Sequence, residues 1–239
     1  GQTRRQQQRQ AMIISHKHRF IFLKTRKTGG SSVQVAMTSV CGDDDIVVGN
    51  DSDHTGENSD RNLDHSFTRN AHANLPQIKL ALPAEIWISY LKVAFVRNPW
   101  DLALSRYHWE KKGMDCDVMD FRNWIADYTS QDWIEPEYNG QGNIIQRVWD
   151  VRGGYVRDLQ APFALENGQL AVDFLGRYER LDADFGTLCR KLSVSPPQLP
   201  HLKSGFRLIG AYRDAYDEIC RRRVENAFAA DIDAFEYRF

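Results

Sequence analysis

The apolar residues of this chain gather into short unbroken runs set between longer amphipathic stretches. Phe20-Ile-Phe-Leu23 and Val93-Ala-Phe-Val96 are continuous apolar tetrads. Runs of that kind suit strands buried on both faces of a sheet, where neither side meets water. Ile46-Val-Val48 and Leu170–Phe174 read as two further strands. Helical patterns cover Ser31–Val40, Phe121–Tyr128 and Asp182–Leu192, with two short helices at Ile78–Leu82 and Glu85–Tyr90 broken at Pro83. Asn98 is placed to cap, and Pro99 to open, a helix running to about Lys112. Tyr216, Cys220, Val224, Phe228, Ile232 and Phe235 follow the helical period, which predicts one long amphipathic helix from Asp214 to Phe235.

Strands alternating with helices predict an α/β fold with a mainly parallel central sheet flanked by helices. No repeat or internal boundary divides the chain. The polar opening "GQTRRQQQRQ" places a disordered terminus over residues 1–12 and leaves 13–239 as a single domain. Residues 49–74, rich in Asp, Asn, Ser, Thr and His, read as a long loop, a feature that is usually functional or disordered. Residues 129–160 carry no clear element, and 195–205 form a Pro-rich connection.

Composition narrows the function classes. The 239 residues are 42% hydrophobic and 26% charged, ordinary for a soluble globular chain. A formal net charge of -1, from 31 basic and 32 acidic residues, argues against a broad nucleic-acid surface but leaves room for a local basic pocket. The four cysteines show no C-x-x-C spacing and read as reduced thiols, not as a disulfide framework or a zinc site. No apolar stretch approaches the about 20 residues that span a bilayer, and no signal peptide is visible, so the expected location is cytoplasmic. A membrane anchor lost with a truncated N-terminus would leave no trace. Asp51, Asp53 and Gly56 match a calcium loop, but its last position is Asn62 where a bidentate glutamate is needed, and no metal site is expected.

The chemistry concentrates in two segments. "KTRKTGGSSV" (24–33) follows the first apolar run and leads into a helix. Free N–H groups at a helix start, with the dipole behind them, favour an anion. Gly29 and Gly30 permit close backbone approach, Ser31 and Ser32 offer hydroxyls, and Lys27 adds a mobile charge. An ordinary strand–helix turn with basic residues in solvent would look the same in isolation. The lysine precedes the glycines, which excludes the nucleoside-triphosphate loop G-x-x-x-x-G-K-[ST]; the dinucleotide fingerprint G-x-G-x-x-G is also absent. The second segment is "KVAFVRNPWDLALSRYHW" (92–109). Arg97 lies at a strand exit, where its planar fork can hold a phosphate bidentately. Ser105, two helical turns past Asn98, shares the face of the cap. The alternative is that Arg97 pairs with Asp101 and Ser105 only packs.

Together these segments resemble the two phosphate motifs of sulfotransferases that use 3′-phosphoadenosine 5′-phosphosulfate (PAPS), closest to the carbohydrate branch of Golgi-type and bacterial enzymes. "FIFLKTRKTGGSSV" resembles the 5′-phosphosulfate loop P-K-T-G-G-T-S, with Arg26 in place of proline and Ser31 in place of threonine. "VRNPWDLALS" resembles the 3′-phosphate motif. "FLGRYERLDADFGTLCRKL" (174–192) and "KSGFRLIGAYRDAYDEI" (203–219) resemble later segments of the family, the second a loop that closes over the nucleotide through basic residues, here Lys203 and Arg207.

The resemblance implies a P-loop-like three-layer fold and metal-free, in-line transfer of a sulfuryl group from PAPS to an acceptor hydroxyl, leaving 3′,5′-adenosine bisphosphate (PAP). It implies that Lys27 neutralises the bridging oxygen, that Arg26, Thr28, Ser31 and Ser32 with the loop amides hold the phosphosulfate, and that Arg97 and Ser105 hold the 3′-phosphate. A base is expected between the two motifs: His72, with His65 and Glu57 as alternates. The acceptor implied is a carbohydrate or glycolipid, read by residues 49–74 and 113–170. Two other readings stay open: a nucleotide-binding module of the same fold without catalysis, and a nucleotide kinase. Nothing in the sequence bears on oligomeric state.

Overall fold

The computed structural model describes residues 12–48, 61–62, 75–111, 117–130, 158–200 and 212–239. Its centre is a five-stranded sheet in which β1 (Met12–Ser15), β2 (Phe20–Leu23), β3 (Ile46–Val48), β4 (Leu91–Val96) and β7 (Phe174–Arg177) lie in the order β3-β1-β2-β4-β7. β1 pairs antiparallel with both β2 and β3, whereas β2, β4 and β7 pair parallel. Four strands therefore run one way and β1 alone runs against them. β1 was not anticipated from the sequence; its register sets Ile13 opposite Phe22 and Ile14 opposite Ile21.

The apolar tetrads are continuous because each face of the sheet has its own core. Ile14, Ile21, Leu23, Ala94 and Val96 join one core, with Trp100, Leu104, Phe121, Val224 and Phe228. Ile13, Phe20, Phe22, Val93 and Phe95 join the other, with Val33, Met37, Phe185 and Leu188. The alternation of side chains along each strand distributes them so. Helix α1 (Gly30–Thr38) follows β2. Helices α2 (Leu75–Ala81) and α3 (Ala84–Ser89) precede β4, α4 (Pro99–Glu110) follows it, and α5 (Val118–Ser130) comes next. After β7 come α7 (Leu181–Lys191), α8 (Glu218–Ala227) and α9 (Ala229–Phe235).

Two expectations are corrected. The strand forecast at Leu170–Phe174 is displaced: the sheet strand is Phe174–Arg177, and Gln169–Leu170 instead pairs with Leu165–Glu166 in a separate hairpin, β5 and β6, after the short helix α6 (Ala161–Ala164). The hairpin turns through Asn167 and Gly168, both at positive φ (52° and 75°), the Asn-Gly pair that a two-residue turn favours. In the sheet itself, Gly176 stands opposite Phe95, whose ring fills the space a Cβ would need.

The long C-terminal helix is two helices. The chain leaves helical geometry at Phe228 (φ -116°, ψ 24°), and α9 starts afresh behind it. Phe228 and Phe235 stay in one core, so the apolar period runs through the break undisturbed. Among the described residues no helix is long and apolar enough to cross a membrane.

Candidate active site

β2 and β4 are neighbours and parallel, so the loops at their carboxyl ends emerge side by side. The loop after β2 is built from within. Thr25 Oγ1 donates to the Phe95 carbonyl and lies 2.7 Å from Thr28 Oγ1, which in turn donates to the Thr25 carbonyl at 3.2 Å. Lys24 Nζ donates to Gln34 Oε1 at 3.0 Å, tying the loop to α1. Lys27 sits at φ 59°, in the left-handed region, and Gly29 at φ 76°. At Gly29 the left-handed φ disfavours a side chain, and a Cβ would also come 2.7 Å from Leu181 Cδ2, which would have to shift. Gly29 caps α1 without a side-chain bond, and the first turn of α1 carries no acidic residue. The amides opening that helix thus face an environment that favours an anion.

The loop after β4 is fixed by a cap. Asn98 Oδ1 accepts from Trp100 N at 3.1 Å and Asp101 N at 3.4 Å, and Pro99 opens α4 as expected. Asn98 Nδ2 donates to the Arg238 carbonyl at 2.9 Å, and Asn98 N to Glu179 Oε1 at 2.6 Å. Arg97 is buried, with 2% of its surface exposed. Its Nε donates to Asp101 Oδ2 at 2.8 Å, its Nη1 to the Lys27 carbonyl at 2.7 Å, and its plane lies 3.9 Å from the Tyr178 ring centroid. The Asp101 pairing weighed above is present, but it uses only one edge of the fork. Nη2 is buried with no hydrogen-bond partner among the described residues. Ser105 lies half-buried on α4, two turns beyond the cap.

The remaining loop residues divide. Lys27 Nζ lies 5.5 Å from the ring centroid of Trp109 on α4. Ser31 is half-buried at the start of α1 and Ser32 is buried. Thr28 is fully buried, its hydroxyl engaged with Thr25. Arg26 turns to Asp158, with Nη1 3.5 Å from Oδ1. Burial, opposed by Asp158 and assisted by the nearby Arg106, lowers the Arg26 guanidinium to about 10. Burial also opposes the Asp158 charge, but Arg106 and Arg26 outweigh it and hold that carboxyl below the usual range.

His72, His65, Glu57, Lys203 and Arg207 lie outside the described residues. His108, on the same helix as Ser105, is half-buried beside Tyr107. Trp124 stacks on Tyr128 with centroids 4.5 Å apart and packs at the core edge. Sequence reasoning missed Asp158, Gln160, Tyr178 and Trp109. Of these only Trp109 carried a signal, standing four residues past Ser105 and so on the same stretch of helix.

Fold and site define an α/β protein with Lys27 and Arg97 brought together at the carboxyl ends of two adjacent parallel strands. The chain belongs to the sulfotransferase family, a family of PAPS-dependent enzymes whose model matches residues 10–238. It is accordingly a transferase of sulfuryl groups. No curated protein and no solved structure matches the chain significantly.

Proposed function

We propose that this protein moves a sulfuryl group from PAPS to an acceptor hydroxyl, with the phosphosulfate over the loop at 24–32 and the 3′-phosphate at Arg97 and Ser105. The contact between the two motifs carries the reading: Arg97 Nη1 donates to the Lys27 carbonyl across 70 residues of sequence. Two anion-seeking loops are thereby joined at one crevice, as a ribose phosphorylated at both ends requires. The site suits such a group. Arg97 Nη2 is buried without a partner among the described residues, a costly state that an incoming phosphate oxygen relieves. Strand β2, the glycine turn and α1 form the strand–loop–helix unit of a P-loop-like fold, opening at the carboxyl end of the parallel strands.

When bound, PAPS supplies the activated sulfuryl group and leaves as PAP. The chain provides the rest. The amides at the start of α1, with the Ser31 and Ser32 hydroxyls, hold anionic oxygens. Arg26 and Thr28 serve that loop from inside, since their side chains are turned to Asp158 and Thr25. Lys27 Nζ offsets the charge that develops on the phosphate oxygen as its bond to sulfur breaks. His72 takes the acceptor proton, with His65 and Glu57 as alternates, and Lys203 and Arg207 close over the nucleotide. The reaction needs no metal in this scheme. The acceptor we assign is a carbohydrate or glycolipid hydroxyl, and the location cytoplasmic.

Calorimetric titration of PAP and, separately, of ADP, with EDTA present, tests the proposal. Tight PAP binding with little for ADP is expected. Binding of neither, or of ADP only once magnesium is restored, overturns it.

A further inference from the structure

Below the crevice a carboxylate with no part in the reaction joins the phosphate loop to α4 a second time. The Asp158 side chain is 1% exposed. Its Oδ1 lies 3.5 Å from Arg26 Nη1 and its Oδ2 3.6 Å from Arg106 Nη1, and Oδ2 accepts from the Tyr128 hydroxyl at 3.2 Å. The two arginines are neighbours of the two phosphate motifs: Arg26 precedes Lys27, and Arg106 follows Ser105. Arg106 also stands 5.1 Å from the centroid of Trp109, the ring beside which Lys27 Nζ lies. Two residues on, Gln160 brackets Arg97, its Oε1 accepting from Arg97 N at 2.6 Å and its Nε2 donating to the Arg97 carbonyl at 2.8 Å.

We infer that Asp158 is a positioning residue that ties the phosphate loop to α4 through Arg26 and Arg106, and so sets the spacing of the 5′- and 3′-phosphate sites. The inference rests on the function proposed above. Its physical basis is that a buried carboxylate and two largely buried guanidinium groups are each costly alone and tolerable only together. It also accounts for Arg26. Proline would stiffen that turn by fixing its own φ; here an ion pair to a distant segment does so.

The sign of one substitution decides the matter. Asp158→Asn removes a negative charge next to an anion site, which on electrostatics alone tightens PAP binding. Loss of the tie weakens it. We expect PAP to bind at least about tenfold more weakly, while adenosine 5′-phosphate, which engages one site, loses less than about threefold. PAP affinity equal to or tighter than that of the wild type, or equal losses for both nucleotides, overturns the inference. If Asp158→Asn does not fold, Arg26→Met/Asp158→Asn replaces it. This pair of changes leaves the net charge as it was, so unchanged PAP affinity again overturns the inference and a loss of about tenfold supports it. A wild-type protein that binds no PAP would instead overturn the proposed function, an outcome distinct from these.

Discussion

Lys27 and Arg97 are held very differently, and their replacements should fail differently. Lys27 is half-buried, with Nζ 5.5 Å from the ring centroid of Trp109. In Lys27→Ala, turnover should fall by about 10²–10³-fold with the melting temperature nearly unchanged, as for loss of a group acting on transition-state charge. Full activity in that variant would remove Lys27 from the mechanism. Arg97 is part of the interior as well as of the crevice. Arg97→Ala should weaken PAP far more than adenosine 5′-phosphate, and should also cost about 3–5 kcal/mol of stability by removing the guanidinium that donates to Asp101 Oδ2 in the interior. Adding Asp101→Asn should recover most of that stability, measured by denaturant unfolding, but none of the PAP affinity. The sequence made these two residues legible because glycines, a strand exit and a cap are local signals. It gave no view of where Arg26 points, since its partner Asp158 lies in a stretch without periodic pattern.

Helix α4 shows what a local signal can and cannot foretell. Asn98 and Pro99 marked its start correctly, and capping is a matter of three or four consecutive residues. What the sequence could not give is the second use of that cap, whose amide nitrogen holds the Arg238 carbonyl. Asn98→Ala should therefore cost about 2 kcal/mol, roughly 1 for the cap and as much again for the Arg238 contact, in equilibrium unfolding. A loss of about 1 kcal/mol, that of the cap by itself, would mean that the Arg238 contact contributes nothing. The misplaced strand has a related cause. Leu170–Phe174 is apolar enough for a strand, but the pairing is settled by Lys92, whose N–H bonds Asp173 Oδ2 and whose carbonyl accepts from Asp173 N, both at 2.8 Å. β7 begins at the next residue. For the C-terminal helices, a shared buried face hid the break, because periodicity records burial and not the continuity of the backbone.

Across the whole molecule two kinds of carboxylate pull stability in opposite directions with pH. Burial opposes the charges of Asp45, Asp158 and Asp173, yet Ser15 and backbone amides, Arg106 with Arg26, and Lys92 respectively outweigh it and depress them. Their contribution is present above the unfolded value and is lost as pH falls through the folded ones. Asp231 behaves in the reverse sense: burial raises it from 3.8 to about 6, against hydrogen bonds from Gln160 and Ala161. Its contribution is complete below 3.8 and lost as pH rises to about 6. The stability of Asp231→Asn relative to the wild type should accordingly grow across that interval and then level off. A difference independent of pH would mean that this carboxyl titrates normally.

The contacts that build the crevice also have a consequence in time. Thr25 reaches Phe95 and Arg97 reaches Lys27 across 70 residues, Asn98 reaches Glu179 across 81 and Arg238 across 140. Because each closes a long loop before it returns any energy, we expect the crevice to form late in folding, after the barrier has been crossed. A nucleotide can recognise it only once it exists. PAP added to a refolding reaction should leave the folding rate as it was and slow unfolding in proportion to its binding, so that the ligand guards a finished molecule and does not help to make one.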